Sequence, residues 1–315
     1  MKLIIQLPCF NEAAQLPGTL AALPRQVEGF DAVEWLLVDD GSTDDTVAVA
    51  RALGVDHVVS YGDNRGLAFA FAAGLEACCR RGADVIANVD ADNQYRVEAL
   101  PALCAPVREG RADIVVGCRP IATIAHFSPL KKALQRLGSA VVRLISGADV
   151  ADATSGFRAY SRRAATTLNV HSRYTYTLET LVQARQARLV VATVPVAVNA
   201  PTRPSRLMRS TAEYLRRSVL TIGRAFVIYR PLRFFMVPAV VSCAGGVALG
   251  LRFLVYFVRG EGAAGHLQSL ILAAILILLA GLAVAIGLIA DLLSVNRRLL
   301  EDLQASQRRK DWQSP

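Results

Sequence analysis

Residues 89–95 read VDADNQY and set Asp90 and Asp92 two positions apart, directly after the apolar run Val85, Ile86, Ala87. On an extended backbone, side chains two apart point to the same side. Two carboxylates held together repel unless a cation or a proton lies between them. A hard divalent ion such as Mg2+ is typically held by one or two carboxylates plus substrate phosphates. The chemistry on offer is therefore capture of a metal and a diphosphate. A solvated acidic turn has the same spacing, and a D-x-D pattern alone does not separate the two.

Such a pair needs a rigid frame. The first 120 residues alternate short apolar runs with helix-like segments, the pattern of a largely parallel α/β sheet. Strands are expected at Lys2–Leu7, Glu34–Val38, His57–Ser60, Asp84–Val89 and Ile114–Cys118, and a last one at Val190–Val198. Helices are expected near Ala14–Leu23, Thr43–Leu53, Gly66–Arg81, Val97–Arg108, Pro129–Ser146 and Leu178–Ala187. Ser42 with Asp45 three residues on resembles a capping box for the second helix. In such sheets the ligand crevice lies beyond the carboxyl ends of the strands, and the polar motifs fall there.

Those motifs are PCFNE at 8–12, VDDGSTDDT at 38–46, DNRGLAFAFAAG at 63–74 and VDADNQ at 89–94. Together they resemble the glycosyltransferase family 2 proteins of GT-A fold, over roughly residues 3 to 200. Within that family the chain is most similar to the polyprenyl-phosphate glycosyltransferases, the group of dolichol-phosphate mannose synthase. The closer likeness rests on DATSGFRAY at 152–160, the basic segment around Lys131, Lys132 and Arg136, and two terminal apolar runs.

The resemblance implies that Pro8, Phe10, Glu12, Asp39 and Asp90 line the pocket of a UDP- or GDP-linked sugar, with Asp39 near the ribose or base. It implies that Asp90, Asp92 and Gln94 surround a divalent cation, Mg2+ or Mn2+, and that Asp92, Asp152 and Arg158 serve catalysis. Two positions depart from the family pattern. Asn93 stands where members commonly have Leu or Gly, and Arg203, Pro204, Ser205 and Arg206 replace a Gly-x-Ser-Lys type segment. Arg203 and Arg206 keep cations able to grip a phosphate bidentately. The remaining candidates for the acceptor phosphate are Arg119, Lys131, Lys132, Arg136 and Ser139. Lys132 and Arg136, four apart, would share a helix face.

A lipid monophosphate is mostly ionised near neutral pH, its second pKa being about 6, so it needs no general base. No Ser/His/Asp arrangement is evident, and His57, His126, His171 and His266 are read as structural or exposed.

The net charge of +9 resolves by region: residues 1–200 carry 20 basic and 20 acidic side chains, while residues 201–315 carry 15 and 6. The surplus sits beside two uncharged apolar runs, Phe234–Leu251 and Leu270–Ala290. Each is long enough to cross a hydrocarbon core of ~30 Å as a helix. That distribution fits anionic lipid rather than nucleic acid. Arginines flank both runs on their outer sides, so the positive-inside rule makes both ends cytoplasmic. The inner Arg252 is expected to snorkel, near Phe253, Tyr256 and Phe257. The N-terminal apolar stretch spans only Leu3–Leu7 and reads as no signal peptide.

The expected organisation is a cytoplasmic catalytic domain at 1–200, a basic amphipathic interfacial helix within 201–231, two transmembrane helices within 232–291, and a cytoplasmic tail at 292–315. Gly246 and Gly250 form a small-xxx-small pair that would permit self-association. Six cysteines without a C-x-x-C pair suit reduced thiols. The competing readings are a transferase acting on another glycan or lipid acceptor, and a non-catalytic membrane scaffold. A processive synthase is disfavoured, since no Arg-Trp dipeptide occurs.

Overall fold

The computed structural model describes residues 1–120, 149–170, 176–199, 231–259 and 267–311, together with residues 143, 147, 223 and 227. The chain divides into two compact units, Met1–Val219 with Glu301–Pro315, and Leu220–Leu300.

The first unit is built on a seven-stranded sheet of order β3-β2-β1-β4-β6-β5-β7. Its strands are β1 (Lys2–Cys9), β2 (Ala32–Asp39), β3 (His57–Ser60), β4 (Val85–Asn88), β5 (Ile114–Cys118), β6 (Arg158–Ser161) and β7 (Val191–Pro195). The helices are α1 (Leu16–Ala22), α2 (Thr46–Ala52), α3 (Leu67–Arg80), α4 (Leu100–Arg108, after a 3-10 turn at Val97–Ala99), α5 (Arg162–Thr167) and α6 (Thr177–Gln186).

Parallel strands covered on both faces read as nearly continuous apolar runs, and β1 is one. Leu3, Ile5 and Leu7 enter one core cluster with Leu16, Leu20, Leu100 and Leu103, while Ile4 enters the other with Phe71, Leu75 and Leu181. The alternation follows from the period of two along a strand. The mostly parallel α/β expectation holds, and the bounds of β3 and β5 fall where the sequence placed them.

Two elements were not anticipated. Strand β6 begins inside the DATSGFRAY motif and ends one residue past it, is only four residues long and begins with an arginine, so no apolar alternation announced it. It runs antiparallel to both β4 and β5. The short helix α5 follows it, capped by the Ser161 hydroxyl accepting from the Ala164 N–H. The capping-box reading is also corrected. Asp45, not Ser42, stands at the N-cap of α2, and no side-chain bond caps the helix. The Ser42 hydroxyl instead accepts from the Asn11 N–H at 2.9 Å.

The second unit contains α7 (Pro231–Val258) and most of α8 (Leu267–Asp311). Both are long and apolar enough to cross a membrane, and they leave large apolar side chains exposed, Val241 at 67% and Leu278 at 73%. A helix with so many exposed apolar groups suits a lipid surrounding. Helix α8 continues unbroken past residue 291 to Asp311. Among its last turns, which belong to the first unit, Arg308 Nη1 donates to the Leu168 carbonyl at 3.2 Å. Arg252 lies 5.8 Å from the Tyr256 ring centroid, a cation–π distance.

The small-xxx-small pair divides its work. A Cβ on Gly246 would stand 2.8 Å from Ile277 Cγ1 and 2.9 Å from the Ala273 carbonyl oxygen, so Gly246 serves packing of α7 on α8 within the chain. Gly250 faces open space. Gly246→Leu is expected to destabilise the helix pair by about 1–3 kcal/mol, the usual range for overpacking. Gly250→Leu should leave it unchanged. Thermal unfolding in detergent compares the two, and equal melting temperatures would refute the packing role.

Candidate active site

Strands β2, β1 and β4 are adjacent and parallel, and they deliver their carboxyl ends to one edge. Register fixes the neighbours there: Pro8 opposite Val38, and Cys9 opposite Asp39. Phe10 follows at 40% exposure, and Glu12 is buried. The loop after β1 is tied to the loop after β2. Asn11 Oδ1 accepts from the Thr43 N–H at 2.8 Å, and the Glu12 N–H donates to Thr46 Oγ1 at 2.9 Å. Asn11 sits at φ 55°, a left-handed conformation that Asn tolerates better than most residues.

Asp39 is buried. Its Oδ1 accepts from the Ser42 N–H at 3.0 Å and its Oδ2 from the Ser60 hydroxyl at 2.6 Å. Each carboxylate oxygen keeps a further lone pair, so the group is held in place without being used up. Its neighbour Asp40 accepts from the N–H groups of Arg65 and Gly66 at 2.9 and 2.7 Å. This joins the start of α3 to the same rim.

Asp90 and Asp92 follow β4. Asp92 is half-buried, and its Oδ1 accepts from the Gln94 N–H at 3.2 Å. Asn93 is at φ 53°, which gives a physical reason for Asn or Gly at this position. The segment is pinned from outside. Asn199 Nδ2 donates to the Asn93 carbonyl at 3.0 Å, the Asn199 N–H donates to the Gln94 carbonyl at 2.9 Å, and Tyr95 forms a bridge with Val198.

Although part of its surface is accessible, Asp90 has its pKa raised to about 7, by burial first and by the Asp92 charge second. The positive charges of Arg119 and Arg158 oppose this rise without cancelling it. The folded, metal-free chain thus binds this proton more tightly than the unfolded chain. The associated stability is present at low pH and is lost as pH rises from the ordinary carboxylate range to about 7. Asp90→Asn is expected to raise the melting temperature of chelator-treated protein at pH 8, with the gain narrowing toward pH 5. A pH-independent difference between variant and parent would contradict it.

Two carboxylates and an amide supply fewer oxygens than the six an octahedral ion takes, which leaves positions for diphosphate and water. Among the described residues, no group of three or more His, Cys, Asp or Glu side chains closes a metal cage. The donor set fits a divalent ion whose coordination a substrate completes.

The DATSGFRAY segment returns to the same edge, because β6 runs antiparallel and starts there. The structure places the two other expected catalytic side chains among buried protein partners. Asp152 has 0% exposure, and its carboxylate accepts from Arg119 Nε at 2.6 Å, from Arg119 Nη2 at 3.0 Å and from the Thr154 hydroxyl at 2.8 Å. Burial pushes its pKa up, but the hydrogen bonds and charge of Arg119 outweigh that and hold it below the usual carboxylate range. Arg158 also has 0% exposure. It donates to the carbonyls of Ser155, Thr177 and Ala153 and to the Thr180 hydroxyl, at 2.8 to 2.9 Å. Both side chains are buried, and through these bonds they brace the loop. Arg119 accordingly reaches the site as the bidentate partner of Asp152.

The other acceptor-phosphate candidates, Lys131, Lys132, Arg136, Ser139, Arg203 and Arg206, lie outside the described residues, as does most of the expected basic amphipathic helix. His57 is paired with Glu34 at 2.7 Å, at the start of β3 and away from the carboxyl edge. The residues that the sequence did not single out are Asn88, Tyr95, Gly156 and Asn199. For Asn88 a signal existed, an amide at the end of a buried apolar strand; for Asn199 none did.

Comparisons with known proteins agree with this geometry. The family model described as "Glycosyl transferase family 2" matches residues 4–168, just over half of the chain. An undecaprenyl-phosphate mannosyltransferase from Micrococcus luteus is 34% identical over 166 residues, covering 51% of this chain and 66% of the relative. A polyprenol monophosphomannose synthase from Mycolicibacterium smegmatis is 32% identical, covering 50% and 61%. Both matches take in less than two thirds of the relative's own length. A UDP-N-acetylglucosamine–dolichyl-phosphate N-acetylglucosaminyltransferase from Methanococcus voltae is 27% identical, covering 60% and 82%. Among solved structures, glucosyl-3-phosphoglycerate synthase from Mycobacterium tuberculosis, crystallised with Mn2+, UDP and its product, superposes with a TM-score of 0.56 at 23% identity. That superposition covers 71% of this chain and 78% of the other. A sheet of GT-A type with an acidic carboxyl edge and a family match over its first half lead to one assignment: the chain belongs to glycosyl transferase family 2.

Proposed function

We propose that the chain transfers one sugar from a nucleotide-sugar donor to the phosphate of a polyprenyl phosphate, with inversion, at the cytoplasmic face of a membrane. The observation that carries this reading is one chain joining a family 2 sheet, with Asp90 and Asp92 at its carboxyl edge, to two span-length apolar helices. The polyprenyl-phosphate activities named for the relatives support the acceptor class.

In this reading Asp39, fixed by Ser42 and Ser60, receives the nucleoside from the β2 side, while Pro8 and the Phe10–Glu12 turn form the floor beside it. Asp90, Asp92 and Gln94 hold the divalent ion. When bound, Mg2+ or Mn2+ neutralises charge on the leaving diphosphate. The acceptor phosphate oxygen attacks the anomeric carbon from the face opposite the diphosphate. The new carbon–oxygen bond forms as the bond to the nucleoside diphosphate breaks, and configuration inverts. The acceptor is already ionised, so no side chain need take a proton. The Arg119–Asp152 pair shapes the far wall of the cleft, and Lys131, Lys132, Arg136, Ser139, Arg203 and Arg206 are proposed to receive the acceptor phosphate. Membrane helices let the polyprenyl tail stay in the bilayer while its phosphate reaches the site.

The test is a product assay on purified protein in detergent with undecaprenyl phosphate, Mg2+ or Mn2+, and UDP- and GDP-linked sugars including mannose and N-acetylglucosamine. Lipid mass spectrometry should find a single polyprenyl-phosphate sugar from one donor. Nucleotide binding without any lipid product, across the panel, would overturn the acceptor assignment.

A further inference from the structure

The antiparallel register of β4 on β6 pairs Val85 with Ser161, Ile86 with Tyr160, Ala87 with Ala159 and Asn88 with Arg158. Continued by two residues, it sets Asp90 opposite Gly156. The contact is close. A Cβ on Gly156 would stand 2.4 Å from Asp90 Oδ2, 2.8 Å from Oδ1 and 3.0 Å from Cγ. All three atoms belong to the carboxyl group, so the acid lies against the bare Cα of this glycine.

The Gly156 peptide is in turn held on both sides. Its N–H donates to the Tyr95 hydroxyl at 3.2 Å, and its carbonyl accepts from Asn88 Nδ2 at 2.8 Å and from the Tyr176 hydroxyl at 3.4 Å. Asn88 is fixed from behind, where its Oδ1 accepts from Gln6 Nε2 at 2.8 Å and its Nδ2 also donates to the Tyr176 hydroxyl at 2.9 Å. Gln6, Asn88, Tyr95 and Tyr176 are all buried. The Tyr95 ring stacks on Phe157 at 5.3 Å, and the Tyr176 ring stacks on Phe71 at 3.8 Å. A buried network with its partners satisfied is rigid, so the peptide cannot retreat from Asp90.

We propose that Gly156, clamped by Asn88 and Tyr95, is a positioning residue: it sets where the Asp90 carboxylate stands and thereby the affinity of the site for its divalent ion. This rests on the metal reading given above. Partners that orient a metal-ligating group are commonly worth about 10- to 100-fold in metal affinity. An added methyl at residue 156 must displace the carboxyl group rather than the backbone.

The experiment titrates Mn2+ into the full chain in detergent, with saturating UDP and in parallel GDP, followed by electron paramagnetic resonance of free Mn2+. Gly156→Ala is expected to weaken Mn2+ binding about tenfold or more with the melting temperature of the metal-free protein close to that of the parent. In an Asp90→Asn background the same change should cost nothing further, because Gly156 acts through Asp90. Tyr95→Phe removes one hold on the peptide without adding volume and should weaken binding about fivefold; it decides the matter if Gly156→Ala does not fold. Parent-like Mn2+ binding by Gly156→Ala, by Tyr95→Phe when Gly156→Ala does not fold, or an undiminished Gly156→Ala loss on top of Asp90→Asn, would overturn the proposal. Equal Mn2+ binding by the parent and Asp90→Asn, or none by the parent, would instead sink the metal reading and the proposal with it.

Discussion

Asp92→Asn is expected to lower the rate of sugar transfer about a thousandfold while leaving the fold intact. The substitution is isosteric, and the amide oxygen can still accept from the Gln94 N–H, now met at 3.2 Å. The loop therefore keeps its shape, including the left-handed Asn93 and its tie to Asn199. What is lost is one of the two charges proposed to face the cation. Groups that stabilise developing charge on a leaving group are commonly worth about 10²–10³ in rate each, and a metal contributes several kcal/mol. A second consequence follows at Asp90. The Asp92 charge is the second cause of its raised pKa, so in Asp92→Asn that pKa should fall while burial keeps it above the ordinary range. The pH dependence of melting temperature in the metal-free variant then shifts to lower pH. Turnover within a few fold of the parent would remove Asp92 from the metal site, whatever the pH profile showed.

Arg119→Ala is expected to destabilise the first unit by about 3–5 kcal/mol, the usual cost of breaking a buried pair by removing one partner. Its carboxylate partner Asp152 has no exposed surface, and Arg119 provides two of the hydrogen bonds that keep it charged. Deleting the cation leaves a buried acid that, among the described residues, keeps hydrogen bonds from the Thr154 hydroxyl and the backbone N–H of residue 119. Arg119→Ala with Asp152→Ala together should recover much of the loss, since no charge is then stranded. The sign of the pH dependence is fixed by the depressed pKa of Asp152. The pair's contribution is present at neutral pH and is lost as pH falls through that depressed value. Denaturant unfolding of the two single variants and the double variant, read as a cycle, measures the coupling. An additive cycle would show that the pair contributes no stability and that its geometry has another cause.

These two outcomes separate the two layers of the site. The outer layer, the half-buried Asp90 and Asp92 at the carboxyl edge together with the buried Asp39, is proposed to meet ligand. The inner layer, Asp152, Arg158, Asn88 and Tyr95, is buried and holds the outer one. Changes in the first should appear in turnover and metal affinity; in the second, loss of the Arg119–Asp152 pair should appear in stability, and loss of the Tyr95 hydroxyl in metal affinity through Asp90.

The outer layer was legible in the sequence. Apolar runs separated by helix-length segments dictate a parallel sheet, and such a sheet brings the ends of its strands to one edge. PCFNE, VDDGSTDDT and VDADNQ all follow such runs, so their gathering could be read without coordinates. The uncharged runs at 234–251 and 270–290 likewise announced helices of spanning length. The contacts of the inner layer were not legible. They join residues far apart in the chain: Asn88 with Gly156, Arg119 with Asp152, Asn93 with Asn199. Strand β6, whose four residues carry too little periodicity to be recognised, brings Gly156 to Asn88, and the segment after β7 brings Asn199 to Asn93. Tertiary structure gave Asp152 and Arg158 buried protein partners, and gave Gly246 to packing within the chain. The physical reason is the same in each case. A side chain's type is local, but its burial and its partners are set by strand register and helix packing, which no short stretch of sequence encodes.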